Sequence, residues 1–231
     1  MEQLGSRSRP RPGLEQRAKL LGLVALLTVL VGIGVGVGIR LVSRSSPGSA
    51  TVITSRYGLD GQATWPAGAK AAPMIRALRD QSGRPFSLAS LRGHTVAIVF
   101  FDSRCHQECP LEGRALATAE HAIPRADRPV LVAVSVDPRD TPASARHAVR
   151  SWGLAGLAPW HWLMGTRAEL ARAWRPYHIY VAPRPVNGDI AHTEAVYLVD
   201  RRGFERASYL FPFATRFVSH DLRALARERG E

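Results

Sequence analysis

Two cysteines close together in the chain are the residues best suited to chemistry. Cys105 and Cys109 are separated by three residues, and Pro110 follows the second directly. Proline fits the first turn of a helix, so we expect a helix to begin at Pro110 and Cys109 to occupy its N-cap region. Free N–H groups and the helix dipole would favour a thiolate there. Two thiolates form a soft site that suits Cu(I), and an imidazole could complete a trigonal site.

The same pair could instead form an inert disulfide, which needs only acceptable Cβ geometry. A bond that closes so short a loop constrains the unfolded chain little, so it would add little stability. We therefore favour a working, redox-active pair. Its residues alone leave open whether it binds metal or exchanges disulfides with a partner. Thioredoxin-type enzymes use two intervening residues where this chain has three, which weakens the second interpretation.

A third ligand would come from the histidines, of which the chain has eight. Three of them fall in predicted helices, and two stand where packing is the expected role. His106 is adjacent to Cys105, but we expect its side chain to point away from the pair, and His178 is ambiguous. His192 stands in a polar loop immediately before a buried strand, on the side of the fold where that loop meets the cysteines. Because copper accepts N and S donors, His192 is a candidate ligand.

The elements that must hold these residues follow a recognisable order. The apolar runs at 94–101 and 130–136 predict buried central strands. Asp200 to Gly203 predicts a turn between strands at 194–199 and 204–210. Shorter strands are predicted at 85–88 and 161–164, and helices at 110–121, 142–152, 167–174 and 215–229. Parallel strands joined by helices, followed by an antiparallel hairpin, indicate an α/β fold of the thioredoxin-like type.

The N-terminal part of the chain predicts one transmembrane helix. Leu20 to Ile39 is a run of twenty residues without a charge. As a helix it would span about 30 Å, the hydrocarbon thickness of a bilayer. Five cations precede the run, so the positive-inside rule places the N-terminus in the cytoplasm and residues 43–231 outside. The alternative is a cleaved signal peptide. A signal peptide has a shorter apolar core than this run, with a small-residue cleavage site close behind the core.

We accordingly divide the chain into four segments. They are a cytoplasmic segment at 1–19, a transmembrane anchor at 20–42, a flexible linker at 43–72 and an extracytoplasmic thioredoxin-like domain at 73–231. The linker prediction rests on the Ser, Gly, Thr, Ala and Pro content of that segment. A net charge of +12 can indicate nucleic-acid binding, but this charge is spread along the chain without a long basic run. We therefore expect a membrane protein with no nucleic-acid partner.

Several segments together resemble the Sco/SenC family, membrane-tethered thioredoxin-fold proteins that deliver copper to cytochrome c oxidase. The similarity covers about residues 80–215. Its most specific part is the C-x-x-x-C-P segment at 105–110 after an apolar strand, together with DIAHT at 189–193 before YLVD at 197–200. Supporting segments are GRPFSL at 83–88, SVDPRDTP at 135–142 and WLMG at 162–165.

The resemblance implies that Cys105, Cys109 and His192 bind a copper ion, so His192 becomes the favoured third ligand. The implied partner is a cytochrome c oxidase subunit or another copper or thiol protein. The chain departs from the family after the first cysteine, where Pro and Asp are usual and His106 and Gln107 stand instead. A carboxylate is thereby lost from the site unless Glu108 replaces it.

The function implied is a membrane-anchored copper-binding chaperone, more a metallochaperone than an enzyme. The main alternative is an extracytoplasmic thiol–disulfide oxidoreductase that acts on partner cysteines. A peroxidase of the peroxiredoxin type is disfavoured, because Ile98 and Asp102 stand where it would need Pro and Thr. An assembly factor that uses the fold only for docking would tolerate the loss of both thiols.

Overall fold

The apolar runs that the sequence predicts as strands form the centre of the fold. The structure, a computed structural model, describes residues 57–157, 159–185 and 188–228. Its strands are β1 Ala63–Thr64, β2 Arg76–Arg79, β3 Pro85–Ser87, β4 Val96–Phe101, β5 Val130–Ser135, β6 Trp160–Leu163, β7 Ala195–Val199 and β8 Glu205–Leu210. Its α-helices are α1 Glu108–His121, α2 Pro142–Ser151, α3 Arg167–Trp174 and α4 Thr215–Arg227.

Six of these strands form one mixed sheet in the order β1-β8-β7-β4-β5-β6. β4, β5 and β6 are parallel, whereas β7 runs antiparallel to β4, β8 to β7 and β1 to β8. β2 and β3 pair with each other in a separate antiparallel hairpin. Parallel strands connected through helices, followed by the antiparallel pair β7 and β8, confirm the predicted thioredoxin-like arrangement.

Both faces of the central strand β4 are covered, which explains why its sequence is an unbroken apolar run. Alternate side chains of a strand point to opposite faces. Val99 and Phe101 pack with residues of α1, α2 and α4 in one core cluster. Ile98 and Phe100 pack with residues of α3 and of the β2–β3 hairpin in the other. The sheet is therefore a rigid, buried platform for the loops at its edges.

Two of the predicted helices begin with side-chain caps. The Thr141 side chain accepts from the backbone N–H of Ser144 at the start of α2. Thr166 and Glu169 form a capping box before α3, which begins at Arg167 as predicted. Each cap satisfies N–H groups that have no partner within the helix.

Residues 57–72, which fall in the predicted linker, belong to the folded domain. Leu59 is only 1% exposed, and β1 pairs with β8. The backbone N–H of Ala72 also donates to the Gly203 carbonyl. A strand of two residues has no periodicity to detect, which is why composition alone suggested a linker. The folded region therefore begins before residue 73.

The predicted cytoplasmic segment at 1–19 and the predicted anchor at 20–42 lie outside the described residues, as do residues 43–56 of the linker. Within the described ranges, no helix has the length and apolar character needed to cross a bilayer.

Candidate metal centre

The topology of the sheet brings the two predicted site segments together. The cysteine loop follows the carboxyl end of β4, and His192 precedes the amino end of β7. Because β4 and β7 are antiparallel neighbours, with Val99 opposite Val196, these two strand ends meet at one edge of the sheet. This edge lies beyond the carboxyl ends of the parallel strands, where sites of α/β sheets form.

Helix α1 begins two residues before the predicted start at Pro110. It starts at Glu108 with Gln107 as its N-cap, so Cys109 lies inside the first turn and not at the cap. Cys109 is fully buried, whereas Cys105 is partly exposed, and both are free thiols. The backbone N–H of Cys109 lies 3.5 Å from Cys105 Sγ, so the two cysteines are in direct contact.

This geometry favours the thiolate at Cys105. Hydrogen bonds from the Cys109 thiol and from the backbone N–H groups of Cys109 and Gln107 lower the pKa of Cys105 to about 6. The interaction with Cys105, together with burial, raises the pKa of Cys109 above its ordinary value. The prediction of a thiolate at Cys109 is therefore wrong. The free N–H groups of a first helical turn point back toward the residues that precede the helix, where Cys105 lies.

His192 contacts the buried thiol through one ring nitrogen. Its Nε2 lies 3.3 Å from Cys109 Sγ, and its Nδ1 lies 3.1 Å from the carbonyl oxygen of Thr193. A carbonyl only accepts, so Nδ1 carries the ring proton and the Nε2 lone pair faces the sulfur. Burial lowers the pKa of His192, which keeps the ring neutral. The structure thus places His192 against Cys109, which in turn contacts Cys105.

Of the other histidines considered, His106 and His161 make contacts outside this cluster. The ring of His106 is 81% exposed and turns to the carboxylate of Asp189. His178 follows a short 3-10 helix and has a left-handed backbone conformation. His161 packs against the ring of Phe86 in the hairpin, as its position between tryptophans suggested.

Glu194 also reaches the cluster, although the sequence analysis did not single it out. A carboxylate oxygen of Glu194, Cys109 Sγ and a ring nitrogen of His192 all lie within 4.8 Å of one another. A signal was present in the sequence, because residues two apart in an extended segment point to the same side. Burial, and then the charges of Glu108 and Cys105, raise the pKa of Glu194 to about 7.

A pocket of about 450 Å³ opens beside the cluster. Its lining residues are Cys105, Gln107, Glu108, Asp189, Ile190, Ala191, His192 and Glu194. Glu108 is exposed on this pocket, and Glu194 is the carboxylate beside the Cys109 sulfur and the His192 ring. The cluster is therefore open to solvent on its Cys105 side and closed on its Cys109 side.

Asp140 anchors the loop that carries Cys105 through buried hydrogen bonds. This buried carboxylate accepts from the hydroxyls of Ser103 and Ser135 and from the indole N–H of Trp162. Ser103 lies two residues before Cys105, and Asp140 belongs to the SVDPRDTP segment at 135–142. That segment therefore positions the cysteine loop, a role that spacing along the chain did not reveal.

Fold and cluster together define a thioredoxin-like protein with a dithiol–imidazole centre. The family model described as SCO1/SenC matches residues 76–227. The chain therefore belongs to the SCO1/SenC family, which confirms the resemblance noted in its sequence. No curated protein sequence is significantly similar to the chain.

Several solved structures have the same fold. ScoI of Bradyrhizobium japonicum, a structure with copper bound, is 28% identical, with a TM-score of 0.54 over 67% of this chain and 99% of that one. Yeast Sco1, also with copper bound, is 21% identical, with a TM-score of 0.58 over 70% and 91% of the two chains. BsSco, in which a disulfide switch was identified, is 18% identical, with a TM-score of 0.58 over 74% and 98%.

Proposed function

We propose that this chain binds copper as its cargo through Cys105, Cys109 and His192 and passes the ion to an acceptor. The observation that carries the proposal is the 3.3 Å approach of His192 Nε2 to Cys109 Sγ. Two sulfurs and one imidazole nitrogen are the donors that suit Cu(I). With bond lengths like those of zinc, about 2.3 Å to sulfur and about 2.0 Å to nitrogen, a sulfur and a nitrogen that bind one ion lie about 3.5 Å apart. The donor types therefore suit the ion, and the spacing of His192 Nε2 from Cys109 Sγ fits it, while Cys105 contacts Cys109 from the pocket side.

Similarity to other family members supports copper as the cargo. Bradyrhizobium japonicum ScoI and yeast Sco1 are both structures with copper bound, and BsSco belongs to the Sco family of cytochrome c oxidase assembly proteins. We propose by analogy that the acceptor is a cytochrome c oxidase subunit or another copper or thiol protein.

The proposed cellular setting is the outer side of a cell membrane. Leu20 to Ile39 would form a single-pass anchor, and the cations that precede it would keep the N-terminus in the cytoplasm. The copper site would then face an oxidising compartment, in which a reduced thiol pair has to be maintained.

A competitive Cu(I) titration of the reduced full-length chain against a chelator tests the metal site. His192→Ala should weaken Cu(I) binding roughly tenfold or more, because two thiolates alone leave the ion open to competing ligands. His147→Ala is the matched control, since His147 is exposed on α2, and it should bind like the parent. Cys105→Ser and Cys109→Ser should each lose most of the affinity.

A redox titration of the same variants shows whether the effect belongs to the metal alone. His192→Ala should still form the Cys105–Cys109 disulfide, because that bond needs only the two sulfurs, whereas the cysteine variants should not. If His192→Ala binds Cu(I) as tightly as the parent, His192 is not a ligand, and His106 becomes the next histidine to test.

Thiol–disulfide exchange is the second candidate function, and the difference in exposure and pKa between the two cysteines favours it. Cys105 is partly exposed with its pKa lowered to about 6, so its thiolate could attack a partner disulfide and release one partner thiolate. Cys109, buried beside it, would then displace the second partner sulfur and close the Cys105–Cys109 disulfide, which leaves the partner reduced. This function is the better one if the reduced parent binds no copper but exchanges disulfides readily.

A further inference from the structure

We infer that Glu194 is a fourth ligand of this centre and that its carboxylate binds Cu(II) in preference to Cu(I). The inference rests on the proposed function and extends it to a residue outside the predicted site. Its basis is the grouping of a Glu194 carboxylate oxygen, Cys109 Sγ and a ring nitrogen of His192 within 4.8 Å of one another. Cys105 lines the same pocket as His192 and Glu194, and the backbone N–H of Cys109 lies 3.5 Å from its sulfur.

The backbone explains why Glu194 faces the ion site. His192 forms an isolated β-bridge with Val181, and β7 begins at Ala195. The backbone N–H of Phe211 donates to the Glu194 carbonyl, which fixes the backbone of Glu194 beside β8. In such an extended segment the side chains of residues 192 and 194 point to the same side.

The surroundings of Glu194 contain acids and no counter-ion. Glu194 interacts electrostatically with Glu108, Glu112 and Cys105. Neither carboxylate oxygen of the buried Glu112 has a hydrogen-bond partner. Across the described residues, the Glu194 carboxylate forms neither a hydrogen bond nor an ion pair with a cationic side chain. A bound cation would stabilise the ionised form of a half-buried carboxylate in such a place.

The chemistry of the donor atoms makes this ligand selective for valence. Cu(I) is soft and is satisfied by two thiolates and one imidazole. Cu(II) adopts tetragonal geometries with additional N or O donors, and a carboxylate oxygen is the hard donor that the predicted set lacks. With Glu194 the centre offers two sulfurs, one nitrogen and one oxygen. The carboxylate can remain unbound while the ion is Cu(I).

The test measures both valences in one pair of variants of the full-length chain. Glu194→Gln removes the charge with little change of shape, and Glu108→Gln removes the same charge from an exposed residue of the same pocket. Each variant is titrated anaerobically in the reduced state with Cu(I), and separately with less than one equivalent of Cu(II), against a competing chelator. The electron paramagnetic resonance spectrum of the Cu(II) form reports directly on the ligands.

Glu194→Gln should weaken Cu(II) binding roughly tenfold or more and change the copper hyperfine coupling, while Cu(I) binding stays within about threefold of the parent. Unchanged Cu(I) binding also shows that the variant is folded. Glu108→Gln should leave the Cu(II) spectrum unchanged. Equal weakening by the two variants would show that only the pocket charge matters and would overturn the inference, as would a Cu(II) spectrum unaffected by Glu194→Gln. A parent that binds neither valence would overturn the proposed function itself.

Discussion

The carboxylate of Asp189 joins the loop of Cys105 to the loop of His192 through His106. It accepts the backbone N–H of His106 at 3.2 Å, and the ring Nδ1 of His106 lies 3.0 Å from it. The two residues are 83 positions apart in the chain, yet one is adjacent to Cys105 and the other lies three residues before His192. The contact therefore sets the distance across the pocket without supplying a donor to the thiol cluster.

Asp189→Ala should release bound copper roughly fivefold faster than the parent, because about 1 kcal/mol of hydrogen bonding between the loops is lost. Stopped-flow transfer of Cu(I) to a chelator measures the rate. His106→Ala is the control, since it removes the ring contact and keeps the backbone N–H, and it should have a smaller effect. Identical release rates for the parent and Asp189→Ala would show that the contact does not hold the site together.

The pKa of about 6 at Cys105 predicts the pH dependence of its alkylation. The rate constant for iodoacetamide should rise with a midpoint near pH 6, because the thiolate is the nucleophile. Cys109→Ala should move this midpoint upward, since it removes the thiol that donates to Cys105 Sγ, whereas Cys109→Ser keeps a donor and should move it less. A midpoint near pH 9 in the parent would contradict the hydrogen-bonding geometry.

The same shift predicts a change of stability with pH. A thiol whose pKa is lowered in the folded state contributes stability above its unfolded pKa, and this is lost as the pH falls through the folded value. Reduced parent protein should therefore gain more stability than Cys105→Ser between pH 6 and pH 9. Urea unfolding of both proteins at the two pH values measures the difference. Parallel pH dependence of the two proteins would count against a thiolate at Cys105.

Burial of Leu59 predicts that residues 57–72 contribute to stability. Leu59→Ala should lower the free energy of unfolding by about 2–5 kcal/mol, as expected for a fully buried leucine. Met74→Ala is the control, because Met74 is 50% exposed, and it should cost less than about 0.5 kcal/mol. Urea unfolding of the reduced proteins gives both values. A Leu59→Ala protein as stable as the parent would restore the linker interpretation for this segment.

The proposed topology predicts which cysteine a membrane-impermeant thiol reagent labels in intact, reduced cells. Cys105 should be labelled without lysis, because it is partly exposed and would lie outside the membrane. Cys105→Ser should lose most of the label, since Cys109 is fully buried. Labelling that requires lysis would place the domain on the cytoplasmic side.

The strands and helices around the site were readable from sequence because their signals are local. The predicted strand at 94–101 and the predicted helix at 167–174 rest on neighbouring residues, and β4 and α3 form there. β1 was missed because its only reason to be a strand is its pairing with β8, more than 140 residues away.

The residues of the candidate site were likewise named from the sequence. Cys105, Cys109 and His192 were named from donor chemistry and from the resemblance of their segments, and the structure gathers them at one edge of the sheet. Asp189 and Glu194 were not assigned a role, because their importance depends on which loops meet. The antiparallel pairing of β4 with β7 decides that meeting.

The sequence by itself determined the fold class, the family and the donor types of the centre, since these follow from residue patterns within short segments. Only the tertiary structure decided which thiol carries the charge. That choice depends on where the N–H groups of the first turn of α1 point and on which sulfur is buried, and the thiolate is at Cys105 where the sequence predicted Cys109. Burial and hydrogen-bond direction arise from packing between distant segments, so no local pattern encodes them.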